Sequence, residues 1–116
     1  MRKILLCGLL LVSLMAAADV TGTWNFTVET SQGTGNPVFV LEQKGKALTG
    51  TYSGALGKAK VAGAVKENKV EIKFKASFNG EDVDVVYSGI VDGDTMKGDV
   101  VLGRLGKATF TGTRQK

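Results

Sequence analysis

The stretch VEIKFKASFNGEDVDVVYSGIV (70–91) is the clearest guide to the fold, because two runs of alternating side chains flank Asn79-Gly80 at its centre. Asn-Gly is the dipeptide favoured in a two-residue type I′ hairpin turn. A turn at this dipeptide gives the hairpin one apolar face, formed by the pairs Val70 with Gly89, Ile72 with Tyr87, and Phe74 with Val85. A slip of one residue would move every apolar side chain to the other face. The pattern therefore predicts a β-hairpin in this register.

Three further turns keep an apolar face in the same way. We place them at Gly93-Asp94, at Leu56-Gly57 and at a three-residue loop over 104–106. These turns bring glycines of neighbouring strands together, and the expected pairs are Gly89 with Gly98, Gly98 with Gly112, and Gly50 with Gly63. Glycines at one level across a sheet let it bend sharply.

The same glycines belong to a repeated phrase, large–x–Gly–x–large, whose first, third and fifth side chains share one face of a strand. The phrase occurs as VTGTW (20–24), LTGTY (48–52), VAGAV (61–65), YSGIV (87–91), MKGDV (96–100) and FTGTR (110–114). We expect eight strands, over 22–31, 37–43, 47–53, 59–66, 69–78, 82–91, 95–102 and 107–114. Short hairpins between eight strands predict an all-β fold, an antiparallel up-and-down β-barrel. An open meander and a two-sheet sandwich are the alternatives.

The outward positions of this barrel carry charge, whereas a barrel in the outer membrane has an apolar outer band. The charged outward residues include Glu71, Lys73, Lys75, Asp82, Asp84 and Lys97. We therefore expect the barrel to be in water and not to span a membrane.

Residues 1–18 have the three parts of a secretory signal peptide. Positive charge at 2–3 precedes an apolar stretch over 4–15, and the alanines at 16–18 form a cleavage site. The apolar stretch is too short to span about 30 Å of hydrocarbon. We expect cleavage after Ala18, which leaves residues 19–116 as a single β-barrel domain, exported to the periplasm or the cell exterior.

Cleavage also changes charge and thiol content. The whole chain has 15 Lys and Arg against 11 Asp and Glu, and loss of Arg2 and Lys3 leaves 13 against 11, a net charge of +2. The one cysteine, Cys7, leaves with the signal, so the exported domain must be stable without a disulfide. The lysines are scattered and no aromatic run accompanies them, so no nucleic-acid partner is expected.

The composition argues against an enzyme. The chain has no histidine, and histidine is the commonest general base and metal ligand. On the inward face no lysine lies beside a serine, and Glu81, at the rim, is the one carboxylate, so nucleophilic catalysis has no activated pair. Asp92-Gly93-Asp94 lacks the rest of a twelve-residue calcium loop. We expect no catalytic residue, no metal site and no cofactor.

Gly22-x-Trp24 on the first strand, with Arg114 on the last, resembles the calycin superfamily of lipocalins, avidins and fatty-acid-binding proteins. The resemblance implies that Trp24 closes one end of the barrel and that Arg114 packs across its indole ring as a cation–π pair. Gly22, Trp24 and Arg114 would then be structural residues of barrel closure. The glycine phrases as a whole also resemble small exported barrel domains of bacteria.

Two shorter segments, LTGTYSGALG (48–57) and TGTWN (21–25), are similar to strands of avidins. This similarity places Asn25, Tyr52 and Ser53 near a biotin-contacting region. The chain departs from the avidin pattern because Trp24 is its only tryptophan, whereas avidins enclose biotin with several. Biotin binding is therefore not expected.

The up-and-down order assigns each loop to one end of the barrel. Trp24, Arg114 and the turns at 44–45, 67–68 and 93–94 belong to a closed end, and the loops 32–36, 54–58, 79–80 and 103–106 belong to the opposite mouth. The residues expected to bind a ligand at the mouth are Phe39, Tyr52, Phe78, Glu81, Leu102 and Arg104. Polar groups among apolar walls are typical of small-molecule sites.

These features support two hypotheses. In the first, the barrel is non-catalytic and binds a small, partly apolar molecule at the mouth. In the alternative, side chains fill the barrel, as its eight strands allow, and it is a scaffold whose loops contact a protein partner as an interaction or inhibitor module. A void inside the mouth favours the first hypothesis, and a filled interior favours the second.

Overall fold

The computed structural model describes residues 18–115, apart from the side chain of Phe78, and contains nine antiparallel strands and one short 3₁₀ turn. The strands are β1 (Gly22–Thr30), β2 (Gly33–Gly35), β3 (Val38–Lys44), β4 (Ala47–Gly54), β5 (Gly57–Lys66), β6 (Lys69–Phe78), β7 (Glu81–Asp92), β8 (Thr95–Leu102) and β9 (Lys107–Arg114), and the 3₁₀ turn is Gly103–Leu105. Apart from Ala18, the predicted signal peptide lies outside the described residues. The described part of the chain has no helix with the length and apolar character needed to cross a membrane.

Eight of these strands form a closed up-and-down barrel, which confirms the predicted fold. From β3 to β9 each strand pairs with the next, and β1 joins β3 to β9. The closing pairs run from Trp24 with Arg114 to Glu29 with Thr109.

The glycine-rich loop expected over 32–36 is instead mostly strand. The chain turns at 31–32 and returns as β2, which pairs with the end of β1 from Thr30 with Gly33 to Val28 with Gly35. Pro37 then interrupts the strand, because a proline has no N–H to donate to a ladder, although its carbonyl accepts a bond from the Phe26 N–H at 3.0 Å. The expected loop at the mouth is thus a short hairpin.

Two of the four predicted registers are confirmed. Around Asn79-Gly80 the structure pairs Val70 with Gly89 and Lys75 with Asp84, as expected. Around Gly93-Asp94 it pairs Gly89 with Gly98.

The other two registers are wrong by two residues. Gly50 pairs with Val61, not with Gly63, because the turn lies at 55–56, one residue earlier than expected. Gly98 pairs with Phe110, not with Gly112, because the chain reverses through the 3₁₀ turn, one residue earlier than expected. The Leu102 N–H donates to the Gly106 carbonyl across this turn at 2.8 Å. A shift of two residues keeps each side chain on its expected face, so the apolar pattern did not reveal these errors.

The glycines of the repeated phrase leave room for neighbouring rings and backbone. A methyl group on Gly112 would lie 2.5 Å from the ring of Phe26, its partner on β1, and a methyl on Gly89 would lie 2.8 Å from the ring of Phe110. A methyl on Gly98 would meet the backbone of β7. The glycines of the repeated phrase therefore allow close packing inside the barrel as well as bending of the sheet.

Candidate functional site

One end of the barrel is closed by the segment that precedes β1. Val20 is fully buried there, its N–H donates to the side-chain oxygen of Gln43 at 2.8 Å, and its carbonyl accepts a bond from the Trp24 indole N–H at 2.9 Å. Trp24 is also fully buried. Val20 thus contributes to closure beside Trp24, a role that the sequence reasoning missed although Val20 is the first large residue of the first repeated phrase.

Arg114 contacts several segments at this end of the barrel. Its guanidinium carbon lies 4.7 Å from the centre of the Trp24 ring, where a cation interacts favourably with the face of an indole. The guanidinium donates to the Asp94 carboxylate at 2.8 Å and to three backbone carbonyls, those of Asp19, Thr21 and Gly93. The planar fork of arginine donors suits such a set of acceptors.

Gly22 and Asp19 lie next to this arrangement. Gly22 has a φ of +140°, and a methyl group there would lie 3.0 Å from the Arg114 side chain. Hydrogen bonds from the Thr21 backbone and side chain lower the pKa of the Asp19 carboxyl group.

Aromatic rings occupy the middle of the barrel. Neighbouring ring centres are 4.4 to 6.1 Å apart, and the rings belong to Phe26, Phe39, Tyr52, Phe74, Tyr87 and Phe110. Phe39 is 0% exposed and Tyr52 is 4% exposed. These two residues were expected to line a ligand site, and the structure places them in contact with other rings of the core.

The two tyrosine hydroxyls differ in their surroundings. The Tyr52 hydroxyl accepts a hydrogen bond from the Leu56 N–H at 3.2 Å, whereas the Tyr87 hydroxyl makes no hydrogen bond with a described residue. Burial raises the pKa of Tyr87 strongly, and the nearby Tyr52 raises it further. Burial also raises the pKa of Tyr52, and the bond from Leu56 opposes that rise.

The remaining residues of the predicted site lie at the mouth, which we define as the barrel end that carries the turns 31–32, 55–56 and 79–80 and the loop 103–106. Glu81 and Arg104 are both exposed and form an ion pair across it. Leu102 is half-buried against the core. The side chain of Phe78 lies outside the described residues.

The predicted site residues are therefore divided between an exposed rim pair and the packed interior. The avidin similarity named two further residues, and both are at outward positions: Asn25 accepts a bond from the Gln115 side chain at 3.0 Å, and Ser53 pairs with Lys58 of β5. In the part of the chain that the structure describes, no group of three or more acidic, histidine or cysteine side chains could hold a metal ion.

A feature that the sequence reasoning did not predict is a split in the barrel wall beside the mouth. β5 and β6 pair only from Ala62 with Lys73 to Lys66 with Lys69. Beyond these pairs, 57–61 of β5 are paired only with β4, and 74–78 of β6 are paired only with β7. We call the gap between 57–61 and 74–78 the split.

The split has an apolar inner side and a basic outer rim. Behind it the rings of Tyr52 and Phe74 are stacked, with centres 4.4 Å apart. The outward side chains along its two edges are Lys58 and Lys60 on β5 and Lys75 and Ser77 on β6. Lys73 lies just beyond the end of the split, where it pairs with Ala62. An open depression beside the β5 edge is lined by 51–53 of β4 and 58–60 of β5.

Acidic side chains contact only one edge of the split. Lys73 lies 3.7 Å from Glu71 and Lys75 lies 4.0 Å from Asp84, and in both pairs the two side chains are exposed. Among the described residues Lys58 and Lys60 form no ion pair. The β5 edge therefore carries uncompensated positive charge.

No family model, curated protein or solved structure matches this chain.

Proposed function

We propose that the protein is a non-catalytic interaction module, in which a filled barrel is the scaffold and its surface at the mouth and the split contacts another protein. The observation that carries the proposal is the packing of the interior, where Phe39 and Tyr52 contact neighbouring rings and are almost completely buried. A small molecule at the predicted site would have to displace these rings. The outside of the barrel is therefore the better candidate for recognition.

Further parts of the proposal come from the sequence. The signal peptide expected at 1–18 places the module in the periplasm or outside the cell, and the lack of histidine favours a function without catalysis. The contact of Arg114 with the Trp24 ring supports the calycin resemblance as part of the same proposal.

Native mass spectrometry of the protein purified from the export compartment tests the proposal. We expect the mass of the polypeptide alone, unchanged by biotin or by a panel of fatty acids. A bound small molecule that leaves on denaturation would instead establish the ligand-binding hypothesis and overturn this one.

Site-specific photo-crosslinking in the producing cells provides the positive test. A crosslinker replaces Leu105, which is 42% exposed in the 3₁₀ turn at the mouth, and the matched control replaces Lys46, which is exposed in the turn at the closed end. We expect protein adducts from position 105 and none from position 46. Equal labelling at both ends would contradict a specific surface at the mouth.

A further inference from the structure

We propose that an extended, acidic segment of a partner protein docks in the split as an added strand between β5 and β6. This inference rests on the proposed interaction function and specifies its site and the chemistry of the partner. Residues 57–61 and 74–78 each have one side without a paired strand. Such edges are templates for strand addition, in which backbone hydrogen bonds give affinity and alternate side chains give specificity.

The length of the split suits a short peptide. Each edge has five residues, which correspond to about 16 Å of strand at about 3.3 Å per residue. A comparable break lies beside 81–84 of β7, whose pairing with β8 starts only at Val85. There, however, Gly103 of the 3₁₀ turn lies against Val83 and Asp84 and covers the edge.

The two faces of the split predict the pattern of the docked segment. Successive side chains of a strand point to opposite faces of a sheet, so every second residue of the segment would face the barrel interior. Those inward residues would lie over Ala59, which is only partly buried against the core, at the edge of the stacked rings of Tyr52 and Phe74. The residues between them would face the lysines of the rim. The segment that fits is therefore one in which apolar and acidic residues alternate.

The positive charge on the edges of the split favours an acidic partner segment over a second copy of this chain. Edge pairing between two copies would bring lysine-bearing edges together, and like charges directly opposite each other destabilise a strand pair. Lysines on an edge are a known device against such self-association. The carboxylates of an acidic segment would instead attract the lysines. The attraction would be greatest at Lys58 and Lys60, which have no ion pair among the described residues.

The test uses a synthetic peptide of seven residues, Val-Glu-Val-Glu-Val-Glu-Val, with capped ends, titrated into the purified exported protein. Its charge prevents the peptide from pairing with itself. We expect saturable binding at low salt. The NMR shifts should be confined to the backbone amides of 57–61 and 74–78 and to the ring protons of Tyr52 and Phe74. N-methylation of alternate peptide amides should abolish binding, because it removes the donors that form the ladder. A peptide with lysine in place of glutamate should bind at least tenfold more weakly.

Charge reversal provides the matched controls. We expect Lys58→Glu with Lys60→Glu to weaken the glutamate peptide at least tenfold and to improve the lysine peptide. The same reversal at Lys97 and Lys107, which are exposed on β8 and β9 at a distance from the split, should leave both affinities unchanged. All four positions are exposed, so these variants should fold.

The other outcomes separate this inference from the proposed function. Binding of both peptides with equal affinity, or shifts outside the split, would overturn strand docking. Absence of binding would also overturn it, while the crosslinks at position 105 would still stand as evidence for an interaction module. Loss of those crosslinks together with a bound small molecule would overturn the proposed function itself.

Discussion

Gly112→Ala tests directly whether the interior is full. The added methyl group would lie 2.5 and 2.6 Å from two carbons of the Phe26 ring, whereas real contacts of this kind are at least about 3 Å. The ring has little room to retreat, because it is 1% exposed and is stacked on Phe110 with centres 4.8 Å apart. Overpacking of this kind costs about 1–3 kcal/mol.

Gly35→Ala is the matched control. Nothing lies within 4 Å of a methyl group at this position, and its φ is outside the range that favours glycine. Both substitutions restrict the unfolded chain by the same amount, a gain of about 0.4–1 kcal/mol, so their difference isolates the packing cost. We expect Gly112→Ala to be less stable than Gly35→Ala by about 1–3 kcal/mol.

Urea unfolding followed by the fluorescence of Trp24, the only tryptophan, measures this difference. In a domain of this size about 2 kcal/mol lowers the Tm by roughly 8–16 °C. If the two variants are equally stable, the interior has slack beside Phe26. A barrel with such slack could admit a small molecule, and a function of the outer surface would lose its support.

Three further predictions concern the interior and the closed end. Tyr87→Phe should leave stability unchanged or slightly raised, because its hydroxyl has no described partner, whereas Tyr52→Phe should cost about 0.5–1.5 kcal/mol through loss of the bond from Leu56; equal losses in urea unfolding would refute the distinction. Stability should be constant up to the ordinary tyrosine pKa of about 10 and fall as the pH rises above it, because the raised pKa values of Tyr52 and Tyr87 keep both hydroxyls protonated in the folded state while the unfolded chain ionises. The tyrosinate absorbance of the folded protein should therefore lag behind that of the protein in urea, and coincident titrations would contradict the burial of these groups. Trp24→Ala should cost about 3–5 kcal/mol by loss of a fully buried ring and of its bond to Val20; a loss below about 1 kcal/mol by calorimetry would exclude Trp24 as the closing residue.

Local turn chemistry decided how much of the fold was predictable. Asn79-Gly80 and Gly93-Asp94 are two-residue turns with a glycine in the left-handed region, and in both cases the register followed from the dipeptide. The turn at 55–56 has no such dipeptide. The Leu56 N–H donates a hydrogen bond to the Tyr52 hydroxyl across it. The alternation of apolar and polar residues gives no sign of this contact.

The candidate site was predictable only in part. The order of the strands placed Glu81 and Arg104 at one end of the barrel, and the structure joins them as an ion pair. The same reasoning could not separate a hollow interior from a filled one, because alternation gives the face of a side chain and not the distance to its neighbour. Phe39 has the same pattern in either case, and only the ring contacts place it in the core.

The split has a sequence signal that pairwise reasoning could have used. Continuing the register from the turn at 67–68 would place Lys60 opposite Lys75 on the outer face, and the alanines at 59 and 76 opposite each other inside. Like charges alone do not part the strands, since Lys66 and Lys69 are paired beside the turn that connects them. Far from a turn, however, a pair must be held by its own contacts, and two alanines bury too little surface to offset the repulsion of two lysines. The ladder ends after Ala62 and Lys73, close to the position where inward alanines coincide with outward lysines, and it leaves two strand edges for a partner of opposite charge.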